Sequence, residues 1–222
     1  MVDSHPALRL KPGRDKSLRL RHPWIFSGAF TTADVPVEPG GTVDILSADG
    51  AFVARAAYSP VSQIRARVWT FDARESVDAA FFARRVARAV AARAAMRDTR
   101  HTGCRLIHGE SDGLPGVVAD RYAETIVLQL SSAGAERWRD AIVAALVETT
   151  SALCIYERSD AEVRKLEGLA PRTGIAHGRL PDAVTFVEDG LTYRVDVVAG
   201  QKTGFYLDQR ASRKTVRALA AG

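Results

Sequence analysis

Between Phe71 and Val77 the chain changes period, and with it the kind of structure it can build. Up to that point the apolar runs are short: residues 8–10, 18–20, Thr42–Leu46, 51–58 and 64–71. Turns at 35–41 and at Ser47-Ala48-Asp49-Gly50 separate them. Strands of this length, spaced by roughly ten residues and punctuated by Gly and Pro, predict a small closed or half-closed barrel over residues 1–74. Beyond it Phe81, Val86, Val90 and Met96 recur at helical spacing among alanines and arginines, so a long helix over 77–97 leaves the barrel. With 222 residues, 46% of them hydrophobic, the chain has room for about two compact units.

From Cys104 the pattern mixes both periods. Strands are expected at 105–108, 117–120 and 125–130, followed by Ser132 as the cap of a helix over 133–148. On that helix Trp138, Ile142, Ala145 and Leu146 share a face. A strand at 152–156 and a helical turn at 161–166 come next. Residues 184–187 and 191–198 then read as a hairpin around Asp189-Gly190, a strong turn signal. Helical character over 208–220 ends in Ala221-Gly222. The fold class is α+β, with a second domain over 75–190 and a last segment over 191–222.

The net charge of +5 and pI near 9.5 come mostly from arginine, which holds its charge and suits phosphate. An anionic partner is implied, nucleic acid first. The run Arg9, Lys11, Arg14, Lys16, Arg19, Arg21 carries one acidic residue, Asp15, and leads into His22-Pro23-Trp24-Ile25-Phe26-Ser27-Gly28. Clustered cations beside aromatic residues are what a phosphate-tracking surface needs. Trp24 and Phe26 are expected inside the barrel, because aromatic residues usually fill small cores. No apolar run approaches the roughly 20 residues of a membrane span and the first residues lack a signal-peptide core, so a cytoplasmic protein is expected. Cys104 and Cys154 stand far apart without metal-ligand spacing; both read as reduced core residues, and no metal site is expected.

Two motifs invite a wrong reading. Gly109-Glu110-Ser111-Asp112-Gly113 fits the nucleophile-elbow pattern, but an elbow opens into a helix, and here Leu114-Pro115-Gly116 and a β-run follow, with only His177 downstream as a base. It reads better as a tight loop in which Glu110 and Asp112 bond backbone amides. Lys202-Thr203 resembles the end of a phosphate loop, yet Gln201 and Val197 occupy the positions where that loop requires glycine. What remains over 200–210 is a glycine-hinged loop that delivers Lys202, Phe205, Tyr206 and Asp208 to the start of a helix, a place that favours carboxylate or phosphate. Within Tyr156-Glu157-Arg158-Ser159-Asp160 a structural ion pair is expected, with Asp160 as a cap. Glu167-Gly168-Leu169 reads as a helix exit.

In order, these motifs resemble a known family. The basic strands with His22 to Gly28, the stretch Leu106-Ile107-His108 through Asp120-Arg121-Tyr122, Tyr156 to Asp160, Glu167 to Leu169 and the run Gly200-Gln201-Lys202-Thr203-Gly204-Phe205-Tyr206-Leu207-Asp208-Gln209-Arg210 are similar to class I S-adenosylmethionine-dependent ribosomal RNA large subunit methyltransferases that make 5-methylcytosine. The resemblance implies an N-terminal PUA-like barrel over 1–74, a central α+β domain over 75–190, and the first edge of a Rossmann-like methyltransferase domain over 191–222. It implies S-adenosylmethionine as cofactor, bordered by Lys202, Thr203, Gly204, Phe205, Asp208 and Arg210. Large-subunit ribosomal RNA is the implied partner, held by Arg9, Lys11, Arg14, Lys16, Arg19 and Arg21, and a second copy of the chain is a candidate partner.

In that family the helix beginning at the position of Asp208 leads into the first Rossmann strand, its glycine-rich loop and the nucleophilic cysteine. The chain reaches Gly222 before any of them, and neither Cys104 nor Cys154 falls at the nucleophile position. The expectation is a truncated chain with no catalytic residue of its own, which alone binds the methyl donor weakly and transfers nothing. The alternative is a stand-alone RNA-binding fragment.

Overall fold

The computed structural model describes residues 5–31, 36–96, 98 and 100–220. The expected turn at 35–41, the helix end at Arg97 and the stop at 221–222 lie wholly or partly outside the described residues.

Five strands, β1 (Ala7–Arg9), β2 (Trp24–Phe26), β3 (Thr42–Leu46), β4 (Phe52–Tyr58) and β5 (Ile64–Thr70), form one sheet in the order β1-β3-β4-β5-β2. Its two edges are drawn together beyond β2. Lys11 N donates to Ala29 O at 2.8 Å, and Thr31 N donates to Arg9 O at 2.9 Å, so the sheet curls toward a barrel. Leu8, Val43, Ile45, Ala54, Ala56 and Tyr58 fill it.

The segment expected as a strand at 18–20 is instead a single helical turn, α1 (Lys16–Arg19). Arg19 Nε pairs with Asp15 across one turn at 2.6 Å, and only Leu18 is buried, so one apolar anchor fixes a helical turn where a strand would need alternating ones. Trp24 and Phe26 also depart from expectation. Both point outward at 37% and 53% exposure, while Ile25 between them takes the core position. Alternation along β2 permits one face only, and Ile25 wins it.

The second unit begins with α2 (Ala79–Ala92), capped by Asp78, whose carboxylate accepts from Phe81 N at 2.7 Å. Strands β6 (Gly103–His108), β7 (Val117–Tyr122), β8 (Thr125–Leu130), β9 (Cys154–Ser159) and β10 (Arg172–Gly178) follow, in the order β10-β9-β8-β7-β6. Neighbours are antiparallel except β8 and β9, which are parallel and joined through α3 (Ala133–Arg137) and α4 (Arg139–Thr150). Ser132 caps α3, its hydroxyl accepting from Ala135 N at 3.2 Å. The helix expected over 133–148 is broken at Trp138, whose ring lies 4.9 Å from that of Phe82. A last short helix of this unit, α5 (Val163–Leu166), precedes β10.

Both faces of this sheet are covered, so β9 is buried at every position and β8 at all but Gln129. Ile126, Leu128 and Ile155 face the helices, whereas Val127, Tyr122 and Tyr156 face the hairpin of β11 (Val184–Glu188) and β12 (Leu191–Val195). Asp189 and Gly190 form the hairpin turn with φ of 50° and 80°, as Asp-Gly predicts. The chain closes with α6 (Arg210–Ala220), preceded by a 3₁₀ turn at Leu207–Gln209.

The barrel and the second unit share a core. Ala57 and Trp69 of the barrel pack with Phe81 and Phe82. Gly134 is what allows it, since a Cβ there would fall 2.8 Å from Cζ2 of Trp69. Glu167, read from the sequence as a helix exit, indeed ends α5, and its buried carboxylate reaches into the barrel to Ser59 (2.9 Å) and Arg67 (2.7 Å).

Candidate functional site

The loop over 200–210 lies against the hairpin side of the second sheet, and buried polar bonds fix its inner surface. Asp120 on β7 is wholly buried. Its carboxylate receives Arg105 Nε at 2.8 Å and Nη2 at 2.9 Å, and also the hydroxyl of Thr203 at 2.7 Å. Because the Thr203 proton goes to Asp120, the Tyr122 hydroxyl, 2.9 Å away, donates to Thr203 in turn. Burial pushes the Tyr122 phenol above its ordinary pKa, so this donor keeps its proton.

Arg158 holds the start of the loop, its Nη1 donating to Val197 O (3.2 Å) and Gly200 O (3.0 Å). The charges expected to pair within Tyr156 to Asp160 part instead: Arg158 lies 3.4 Å from Asp160, and Glu157 turns to Arg139 at 2.7 Å. Asp160 is not the helix cap, since α5 begins after Glu162 with no side-chain cap bond. Gly200 and Gly204 are close-packing positions and not hinges. A Cβ on Gly204, at φ 114°, would fall 2.7 Å from Asp196 O, and one on Gly200 would collide with the same carbonyl. Phe205 packs edge-on against Phe186 and Tyr193, with ring centres at 4.9 and 5.2 Å. Arg210 closes the loop on the hairpin turn, bonded to His101 and 3.5 Å from Asp189. The His101 ring nitrogen, 3.0 Å from Asp189, holds that carboxyl below its usual range, with Arg210 adding to the effect.

The six residues singled out over 202–210 therefore divide. Thr203, Gly204, Phe205 and Arg210 are committed to positioning the loop. Lys202 and Asp208 face solvent, 3.4 Å apart, and the Lys202 ammonium lies 4.4 Å from the centre of the Tyr206 ring. These three groups engage one another at the surface, and the Lys202–Asp208 pair is one that a zwitterionic ligand can replace with its own two charges. Sequence reading missed Asp120, Tyr122 and Arg105, and the signal for them was weak: a polar Asp inside an otherwise apolar strand.

On the barrel, Arg9 and Lys11 reach the backbone oxygens of Ala48 and Gly28, each at 3.2 Å, and Arg19 pairs with Asp15. Arg14 and Lys16 are exposed beside them, and Arg21 places its guanidinium 4.7 Å from the centre of the Phe71 ring. Leu20, Trp24 and Phe26, in the same stretch of sequence, are exposed.

Gly109, Gly113 and Gly116 all take positive φ, and a 3₁₀ turn leads into β7, so Ser111 opens no helix. His177 lies on β10, at the opposite edge of the sheet from β6. Asp112 accepts from His108 N at 2.6 Å as expected, but Glu110 does not cap an amide. It accepts from the indole N–H of Trp24 at 2.8 Å, because the outward-turned Trp24 reaches across from the barrel. Both cysteines are buried, and burial pushes the Cys154 thiol up, the reverse of what a nucleophile needs.

Residues 8–71 match the PUA-like domain family. Over 97% of its length the chain is 50% identical to Ribosomal RNA large subunit methyltransferase I of Shewanella denitrificans (strain OS217 / ATCC BAA-1090 / DSM 15013), of which it covers 55%. By sequence it is similar to ribosomal RNA large subunit methyltransferase I. Against the protein of the same name from Shewanella amazonensis (strain ATCC BAA-1098 / SB2B) the identity is 52%, over 93% of this chain and 52% of the relative. The chain thus spans about half the length of the relatives it matches. Among solved structures it is similar to a putative SAM-dependent methyltransferase from Streptococcus mutans, at 20% identity and a TM-score of 0.78. That match covers 95% of this chain and 54% of the other. A second putative methyltransferase, complexed with SAH, gives a TM-score of 0.79 at 20% identity, over 95% of this chain and 53% of the other. The resemblance read from the motifs and the α+β class with its PUA-like barrel are borne out. Among the described residues no helix is long and apolar enough to cross a membrane.

Proposed function

We propose that this chain is the RNA-binding and cofactor-edge portion of an S-adenosylmethionine-dependent methyltransferase acting on C5 of a cytosine in large-subunit ribosomal RNA. The observation that carries this reading is the loop over 200–210: one side is fastened by buried bonds to Asp120, Tyr122 and Arg158, while the other presents Lys202, Tyr206 and Asp208 to solvent. A loop so fixed can offer charged groups in a set arrangement.

The exposed groups fit the methyl donor chemically. Lys202 and Asp208 would exchange their mutual pair for its carboxylate and its ammonium. When bound, S-adenosylmethionine supplies an electrophilic methyl group. Thr203, Gly204, Phe205 and Arg210 keep the loop in place, and Arg9, Lys11, Arg14, Lys16, Arg19 and Arg21 hold RNA phosphates. The domain limits 1–74, 75–190 and 191–222 belong to the same reading. The nucleophile and most of the cofactor's contacts would come from the part of the relatives that this chain does not match.

Titration of the chain with S-adenosylhomocysteine tests the edge. Binding should be weak, near millimolar, because a half-lined site leaves most of the ligand exposed. Lys202→Met and Asp208→Asn should each weaken it further. Tight binding indifferent to both substitutions would place the cofactor elsewhere.

A further inference from the structure

Where the barrel meets the loop over 109–115 lies a cleft of about 1000 Å³, open to solvent and large enough for a nucleotide. Arg21 and Phe71 line it on the barrel side; Glu110 and Ser111 line it on the other, with Glu75 between. The hydrogen bond from Trp24 to Glu110 bridges barrel and loop beside the cleft, and the shared core of Ala57, Trp69, Phe81 and Phe82 packs beneath them.

Arg21 is the informative residue. It is the last cation of the basic run, and its φ of 63° is the left-handed stop of α1, with Arg21 N donating to Leu18 O at 2.9 Å and His22 N to Ser17 O at 3.0 Å. That conformation follows α1 and lets the guanidinium lie over Phe71 at the cleft wall. A guanidinium plane backed by an aromatic ring is a platform on which a nucleobase stacks, and its edges remain available to a phosphate. Glu110, which lines the same cleft, has one carboxylate oxygen engaged by Trp24, and its second can accept from the amino or imino edge of a base. A stacking platform, a cation and an acceptor in one cleft suit a nucleotide whose base is unpaired; a duplex would keep its base edges to itself.

We infer that this cleft holds one unpaired nucleotide of the bound RNA, its base stacked on the Arg21–Phe71 platform and its edge read by Glu110. The inference rests on the proposal that the basic run Arg9 to Arg21 contacts RNA, and it adds a preference for unpaired structure that phosphate contacts alone do not give.

The test compares the affinity of the whole chain for an RNA hairpin with an unpaired loop and for a blunt duplex with the same number of phosphates, across a salt series. The hairpin should bind about tenfold more tightly, within the range one stacked base contributes. Arg21→Lys keeps the charge and loses the plane; it should erase that preference and leave the salt slope unchanged. Glu110→Gln keeps the side chain's size and its bond to Trp24, and should reduce the preference for loops that carry a donor edge. Equal affinity of the unaltered chain for hairpin and duplex, or a preference untouched by Arg21→Lys, would overturn the cleft assignment while leaving salt-dependent binding intact. Absence of any salt-dependent binding would overturn it together with the RNA reading on which it rests.

Discussion

Arg67 and Glu167 lie 100 residues apart in sequence, yet Nη1 of the first is 2.7 Å from Oε1 of the second, and both side chains are buried. The same carboxylate accepts from the hydroxyl of Ser59 at 2.9 Å and from Ala133 N at 3.2 Å, at the entry of α3. One glutamate at the end of α5 thus joins the barrel to the entry of α3.

Removing one partner of such a pair strands the other. Glu167→Gln leaves the Arg67 charge buried without its counter-ion, and should cost about 3–5 kcal/mol in urea unfolding. Arg67→Met with Glu167→Leu together should cost much less than the two single substitutions added, which a double-mutant cycle would measure.

Thr203→Val keeps the shape and removes the hydroxyl between Tyr122 and Asp120. Two buried partners lose a bond, so a cost of about 1–3 kcal/mol is expected. Hydrogen exchange should locate it, with faster exchange over residues 200–209 and unchanged protection in the barrel. Uniform loss of protection would show that the Thr203 bonds hold more than the loop.

Asp189 provides a pH test. His101 holds its carboxyl below the ordinary value, so its folded-state pKa lies under its unfolded one. The resulting stabilisation is present above the unfolded value and is lost as pH falls through the folded one. Protection of the first turns of α6 should therefore hold at neutral pH and decline in acid below the usual carboxylate range. Asp189→Asn should flatten that dependence, and because Asn tolerates the φ of 50° found here, it adds little strain of its own.

The α+β class, the Asp-Gly hairpin and the Ser132 cap were legible because each rests on a local rule. Other features were not. β10 (Arg172–Gly178) carries two glycines and no alternation, since it is an edge strand with little burial to pattern it. Trp24 was expected inside because aromatic residues usually are, but the register of β2 gave the core to Ile25 and left Trp24 to bond Glu110, 86 residues on. In the loop over 200–210, the residue types were visible, but not which of them would be consumed by Asp120 and Tyr122 from a distant strand.

The basic face should show its origin in salt. With about four or five phosphates contacted, log affinity for RNA should fall against log salt with a slope of roughly −3 to −4. Arg14→Glu with Lys16→Glu should flatten it, because both side chains are exposed and neither supports the barrel core. An unchanged slope would move the RNA contact off this face.

Methyl transfer from S-adenosylmethionine to large-subunit ribosomal RNA tests the proposed function most directly. The chain alone would be assayed beside the same chain joined to the part of a Shewanella denitrificans relative that it does not match, with product nucleosides identified by mass spectrometry. The expected result is 5-methylcytosine from the joined protein, lowered by Lys202→Met or Asp208→Asn, and none from the chain alone. Transfer by the chain alone, or a joined protein that methylates a different nucleoside or is indifferent to both substitutions, would contradict it.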